Sequence, residues 1–383
     1  MLPLLLLTMA AQAKSWCASP LTAHEWGVAV LRTDGVQPEG VALPSWLHRE
    51  ALPIAPAERP VRHRDVDSGV RTLPVVQFYS PARWGDSVPV GLEVGFRQGE
   101  ASLWFPQVDR RVPASIARGP AAEWARQDLL LRRAARPPFG RGPYPPLPSD
   151  PTRQLHWDAL FLSQKASPPS HPAEVPWVDA LRQMPGALWV HGMEETERFV
   201  FYEADTEESP AVLLERGASW SPTHPHYQLR NGSDWPVHDV LVVADGQAWR
   251  APSIPAGATA GFLLEEPLEA DVQRAWLRDR WTDHAVPAPP KEVAWEQDDC
   301  VMGQDPALPV EAASGHRLYA AEIDVVLDVW AERLLASEGV HLVYREDPEA
   351  LDALMPISVY TDMFHHVDLR RLGVVLVEGL SLP

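Results

Sequence analysis

Two ionisable side chains stand together near the start of the chain, His24 and Glu25 in "TAHEWGVAVLRTDG". Histidine titrates near neutral pH, and glutamate can carry a proton or bind a cation, so the pair has the makings of an acid–base couple or half a metal site. They are the catalytic candidates of this chain. The flanking pattern argues against joint action. The stretch alternates as a strand, which places His24, Trp26, Val28 and Val30 on one face and Glu25, Ala29 and Leu31 on the other. Convergence on one proton or one metal would need a bulge, for which Gly27 makes room.

His224 and His226 in "THPHY" have the spacing by which one strand offers two imidazoles to a ligand. The continuation Tyr227-Gln228-Leu229-Arg230 supplies no carboxylate to complete a metal site, and Pro222 and Pro225 point to a loop. His365 and His366 sit between Asp362 and Asp368 in a segment that reads as a turn. HExxH, CxxC, GxSxG and glycine-rich phosphate loops are all absent. The expectation is no metal and no cofactor, with Trp26, His224 and His226 as candidates for binding a partner.

The elements that must position these residues are mostly strands. "HEWGVAVLRTDG" ends in the hairpin signal Asp34-Gly35, and further strands are expected over 73–80, 88–96 and 102–106. "GPAAEWARQDLLLRRAARPP" reads as a helix entered at Pro120 and stopped at Pro137-Pro138. Proline-rich stretches dominate 136–176, which reads as linker and loops. Over 185–266, short strands recur every eight to twelve residues with turns at Asn231-Gly232, Asp245-Gly246 and Ala256-Gly257. That spacing predicts a β-sandwich of immunoglobulin or fibronectin type.

Residues 267–383 read as helix plus strand. One helix is expected over 267–281, with Pro267 at its start. A second carries the stripe Ile323, Val326, Leu327, Trp330 and Leu334, with Gly339 placed to cap it. Strands are expected over 340–344, 354–360 and 372–379. The fold class is therefore mostly β, of the α+β kind. It comprises a β-rich N-terminal region with one helix (20–135), the Pro-rich linker, the sandwich and the C-terminal region.

Composition sets the outer bounds. The net charge of −19 repels phosphate backbones and argues against nucleic-acid partners. Forty prolines, about twice the usual share, must lie in turns, edges and linkers. The first residues, "MLPLLLLTMAAQA", combine an apolar run with an A-x-A cleavage pattern, so residues 1–13 read as a signal peptide. No later stretch is apolar enough for a membrane span. Cys17 and Cys300 are the only cysteines; in an exported chain they permit one disulfide, and two unpaired thiols are the other reading.

Sixteen tryptophans suit either a core or an interface. Trp26, Trp104, Trp189 and Trp330 fall in core patterns, whereas Trp46, Trp84, Trp220, Trp235 and Trp295 lie nearer turns.

The opening "AHEWG" after a leader resembles a group of uncharacterised exported bacterial proteins whose mature region begins with a His-Glu-Trp-Gly motif. "PVVQFYSP", "ERFVFYEA", "AWLRDRW" and "GVHLVYREDPEALDALMPISV" extend the resemblance over most of the chain. It implies export and a shared multi-domain architecture, and no activity. Together these readings lead to an exported, periplasmic or extracellular protein. They favour a non-enzymatic binding or structural role toward a protein or glycan partner in the cell envelope. The alternative is a hydrolase, in one form metal-dependent, using His24 or Glu25.

Overall fold

The computed structural model describes residues 21–34, 36, 40–49, 68–80, 87–96, 100–112, 154–192, 194–206, 208–219, 221, 226–289, 312–361 and 367–383. The leader, both cysteines, the helix expected before Pro137, His224, the His365-His366 pair and Trp84, Trp220 and Trp295 lie outside them.

"HEWGVAVLR" does form a strand, and that strand is the spine of the molecule. It belongs to a ten-stranded sheet whose spatial order is β16 (Glu266–Pro267), β14 (Gln247–Ile254), β13 (Val237–Ala244), β17 (Val340–Glu346), β19 (Val367–Leu380), β1 (Leu21–Arg32), β3 (Ser68–Tyr79), β10 (Val200–Thr206), β5 (Glu100–Phe105) and β2 (His48–Arg49). β1 and β19 pair in parallel, from Leu21 opposite Val367 to Arg32 opposite Glu378. The first and last described strands are thus joined at the centre of the fold.

A second sheet has the order β18 (Ile357–Tyr360), β4 (Val88–Gly95), β7 (Gln154–Ser163), β8 (Trp189–Gly192) and β9 (Glu195–Glu197), with β6 (Arg110–Val112) also on β7. A third joins β11 (Val212–Arg216), β12 (Tyr227–Asn231) and β15 (Thr259–Phe262). Four helices are described: α1 (Pro176–Arg182), α2 (Ala270–Trp281), α3 (Ala320–Leu334) and α4 (Pro348–Leu354).

The strand alternation builds the layers. One face of β1 carries Trp26, Val28 and Val30 into a core shared with Trp177 and Leu181 of α1, Leu277 and Trp281 of α2, and the whole expected stripe of α3. The other face sends Ala23 toward Val90, Leu92, Leu155 and Trp157 of the second sheet, and Ala29 and Leu31 toward Tyr227, Leu229 and Phe262 of the third. Helices α1–α3 therefore cover one face of the large sheet, and the two smaller sheets together with α4 cover the other, a mostly β protein of the α+β class.

Several boundaries move. Residues 154–163, inside the stretch assigned to linker on proline content, form β7 in the middle of the second sheet. "QLHWDALFLS" is proline-free and alternates, and it is the flanking prolines that mask it. Residues 185–266 contribute strands to all three sheets. Pro267 ends β16, and the helix begins at Ala270. Gly339 leads into β17 with φ of +78°, while α3 is capped at Leu335. α4, entered through Asp347, whose side chain accepts from the Glu349 N–H, replaces the start of the strand expected from 354.

Candidate functional site

His24 and Glu25 follow the alternation into two different interiors. His24 is fully buried on the helix-covered face. Its Nδ1 lies 2.7 Å from Oε2 of Glu322 in the first turn of α3. A carboxylate only accepts, so Nδ1 carries the proton and donates it. The same Oε2 accepts from the Tyr319 N–H at 2.9 Å, so one glutamate both caps the helix and anchors the strand. The His24 ring packs against Tyr319 and Tyr79, with centroids 4.6 Å and 5.2 Å away. Burial and the neighbouring Glu322 push the Tyr79 hydroxyl well above its ordinary pKa, so it stays protonated.

Glu25 is buried on the opposite face. Arg371 donates Nε–H to one carboxylate oxygen and Tyr202 donates its hydroxyl to the other. Arg371 comes from the register position beside Glu25 on β19. It also reaches Asp352 Oδ1 at 2.7 Å and the Met355 carbonyl at 2.8 Å. Burial opposes the charge on Arg371, but the Glu25 carboxylate outweighs it and holds the guanidinium pKa above its usual value.

A second buried arginine lies on the same side. Arg71 makes paired hydrogen bonds of 2.6–2.8 Å to both Glu208 and Glu346. A narrow cavity between the two clusters is lined by Glu25, Gly27, Arg71, Pro74, Met355 and Gly373.

The bulge that Gly27 left room for does not form in β1: the β1–β3 register shifts between Trp26 and Val28, but the extra residue is on β3, where Leu73 and Pro74 lie opposite Gly27, and β1 keeps an unbroken register with β19. Gly27 therefore does not turn His24 and Glu25 toward one another. Its role is steric: a Cβ on Gly27 would lie 3.0 Å from the Pro74 backbone, and one on its register partner Gly373 would lie 2.8 Å from Glu346 Oε2. Each residue of His-Glu-Trp-Gly thus has its own contact; His24, Glu25 and Trp26 are buried and Gly27 is half-buried.

The binding candidates fare differently. Trp26 is 1% exposed in the helix-side core and cannot touch a partner. His226 is half-buried, its ring pressed against Gly217 and Gly261 so closely that a Cβ on Gly217 would collide with it. Trp46, one of the turn tryptophans, is half-buried and stacks on His171 with centroids 5.1 Å apart and planes 8° from parallel. Beside it, His48 Nε2 lies 2.8 Å and His171 Nε2 3.5 Å from Oε1 of Glu195. These residues form an aromatic and ionisable patch next to edge strand β2 that sequence reading did not assemble.

A further group had no signal in any motif. Glu93, His156 and Asp158 bring three ligand-type atoms within 4.8 Å of one another, an arrangement that fits a metal ion. The expectation of no metal site rested on motif spacing along the chain. Here the spacing is made across strands β4 and β7, and the only local trace is the His-x-Asp alternation within β7.

No family model and no curated protein matches the chain. Among solved structures it is similar to the Mu homology domain of Fcho1 from Danio rerio, solved with a bound Eps15 peptide. The TM-score is 0.28 and the identity 9%, over 96% of this chain and 97% of that one. Likeness at that level carries no argument about function.

Proposed function

We propose that this chain is an exported binding or structural protein of the cell envelope or periplasm, engaging a protein or glycan partner, and that its His24-Glu25 pair is architectural. The observation that carries this reading is the complete burial of the two side chains on opposite faces of one sheet, each spent on a partner. A general acid or base must reach its substrate within hydrogen-bond distance; His24 is enclosed, and Glu25, although it lines the narrow cavity, has both carboxylate oxygens engaged by Arg371 and Tyr202. The leader-like start supports export.

The surface offered to the partner is the patch of Trp46, His48, His171 and Glu195. Stacked aromatic and imidazole rings suit a sugar face or a peptide side chain. Two experiments test the reading. In the first, the purified chain is screened against envelope polysaccharides and crosslinked to envelope proteins. Trp46→Ala is expected to lower binding at least tenfold in protein that stays folded with a reduced Tm, because the ring also packs on Phe105 and donates to the Pro172 carbonyl, and binding untouched by W46A removes the patch from the reading. In the second, ester, amide and glycoside substrates are offered to wild type and His24→Gln. Turnover by wild type that vanishes in folded H24Q overturns the architectural role.

A further inference from the structure

We propose that Glu93, His156 and Asp158 form a site for a divalent transition-metal ion, with zinc the ion it suits best.

The placement follows from strand register. Glu93 of β4 is opposite His156 of β7, and Ser358 of β18 is opposite Glu93. Directly opposed residues in antiparallel strands project to the same face, so the three make one cross-strand row. Asp158 follows at the β7 bulge, where the register shifts between the Trp157–Leu92 and Leu160–Val90 pairs, and a carboxylate oxygen of it lies within 4.8 Å of the other two ligand atoms. The alternate residues Leu92, Val94, Leu155 and Trp157 point the other way into the core shared with the ten-stranded sheet. The face of the second sheet turned away from that core thus carries glutamate, histidine and serine in line, all three buried.

The spacing within the row is that of ligands around a common centre. His156 Nε2 is 2.9 Å from Oε1 of Gln154 and donates to it, which leaves the Nδ1 lone pair turned toward Glu93. Nδ1 lies 3.6 Å from Glu93 Oε1, too far for a good hydrogen bond. Two ligands held ~2.0–2.2 Å from one ion at a tetrahedral angle lie roughly 3.3–3.6 Å apart. The Gln154 contact is the outer partner that fixes tautomer and ring orientation in metal-bound histidines.

Asp158 is held by its own N–H, which donates to Asp109 Oδ2 at 2.5 Å, while the Asp109 N–H donates to the His156 carbonyl at 2.9 Å. Both Glu93 and Asp158 keep additional contacts. A carboxylate has two oxygens and about four acceptor positions, so such contacts are compatible with ligation.

Ser358 supplies the independent observation. It is 6% exposed, stands next to Glu93 in the row, and its Oγ has no hydrogen-bond partner among the described residues. A buried hydroxyl without a partner carries a cost on the order of 1–3 kcal/mol that native structures avoid unless a water or ligand is present. Water in the remaining position of a three-ligand ion would give it one. One imidazole, two carboxylates and no thiolate select a borderline ion such as zinc over a soft one, and the imidazole disfavours calcium and magnesium.

The test uses the full purified chain, stripped with chelator and titrated with Zn²⁺ by calorimetry, with bound metal quantified by elemental analysis. About one zinc per chain is expected, with a Tm several degrees higher at saturating metal. His156→Ala and Glu93→Gln are expected to lose at least tenfold in affinity. Asp158→Asn, at a half-buried position and therefore the variant least prone to misfold, should show a like loss, and Ser358→Ala a smaller one. Cobalt substitution adds a readout independent of the variants, since visible d–d bands of a four- or five-coordinate ion should appear in wild type. Zinc that leaves Tm unchanged and produces no binding heat overturns the proposal, as does uptake undiminished in both D158N and H156A. Neither result bears on the partner-binding reading, which concerns the Trp46 patch.

Discussion

The centre of the ten-stranded sheet and the polar face of the second sheet both bury ionisable groups, and they do so in opposite ways. Around β1 the charges close on one another: His24 with Glu322, Glu25 with Arg371, and Arg71 with Glu208 and Glu346. On the second sheet, Glu93, His156 and Asp158 crowd together with a partnerless serine hydroxyl beside them. Each buried pair around β1 pins two elements in register, although His24 Nε2, Glu322 Oε1 and Arg371 Nη2 have no hydrogen-bond partner among the described residues. On the second sheet the ligand-type atoms of three residues instead lie within 4.8 Å of one another. The comparison separates architecture from a place where something can bind.

The strongest way to break it is Arg371→Met, which leaves Glu25 and Asp352 facing an apolar side chain. Removing one partner of a buried ion pair costs about 3–5 kcal/mol, so chemical denaturation should show a loss of that size. The double variant Glu25→Gln with Arg371→Met should recover part of it, and strict additivity of the two losses would show that the pair is not coupled.

Glu203 on β10 sharpens the contrast, because it is buried with only the Thr72 and Ser102 hydroxyls and the like charge of Asp205 acting on its carboxyl. Burial pushes its carboxyl up to about 7. Between the unfolded value of 4.5 and about 7, the folded chain binds the extra proton, so stability present at low pH is lost as pH rises through that window. Glu203→Gln should abolish this decline and be the more stable form at pH 8, by on the order of 2 kcal/mol. Parallel curves for wild type and E203Q between pH 5 and 8 would count against it.

Glu322→Gln keeps an acceptor for the Tyr319 N–H and removes the charge facing His24. A loss of about 1–2 kcal/mol is expected from urea unfolding, and no loss would mean that His24 needs no charged partner.

The smallest effect belongs to His316, where burial foremost, with the nearby Arg345 and Arg317, pushes the imidazole down to about 4, against the pull of Asp239. The unfolded chain takes up this proton near 6.5 while the folded chain resists, so stability falls as pH drops from 6.5 toward 4. Its sign is opposite to that of Glu203. His316→Asn should flatten the acid limb slightly in Tm measured against pH; an unchanged slope would assign that limb to other groups.

Much of the local structure was legible beforehand. The two faces of β1, the stripe of α3 and most strand positions followed from side-chain periodicity, which needs only neighbours along the chain. The opposed directions of His24 and Glu25 followed from the same rule. β7 was hidden because proline content on either side outweighed a ten-residue alternation. The Trp46 patch and the Glu93 group had no linear signal, since their members come from positions as far apart as 46 and 195, or 93 and 158.

The sequence by itself determined that His-Glu-Trp-Gly would be a strand, with histidine and tryptophan on one side and glutamate and glycine on the other. It also determined a mostly β class, because alternation and turn residues act within a few positions. Only the tertiary structure decided that the glutamate's counter-charge is Arg371, 346 residues away, and that His24 meets Glu322, 298 residues away. The parallel pairing of β1 with β19 brings those partners in, and the energy that selects it is spread over three cores and many strands. No local pattern carries that information, which is why the motif's chemistry could be judged only once its surroundings were in place.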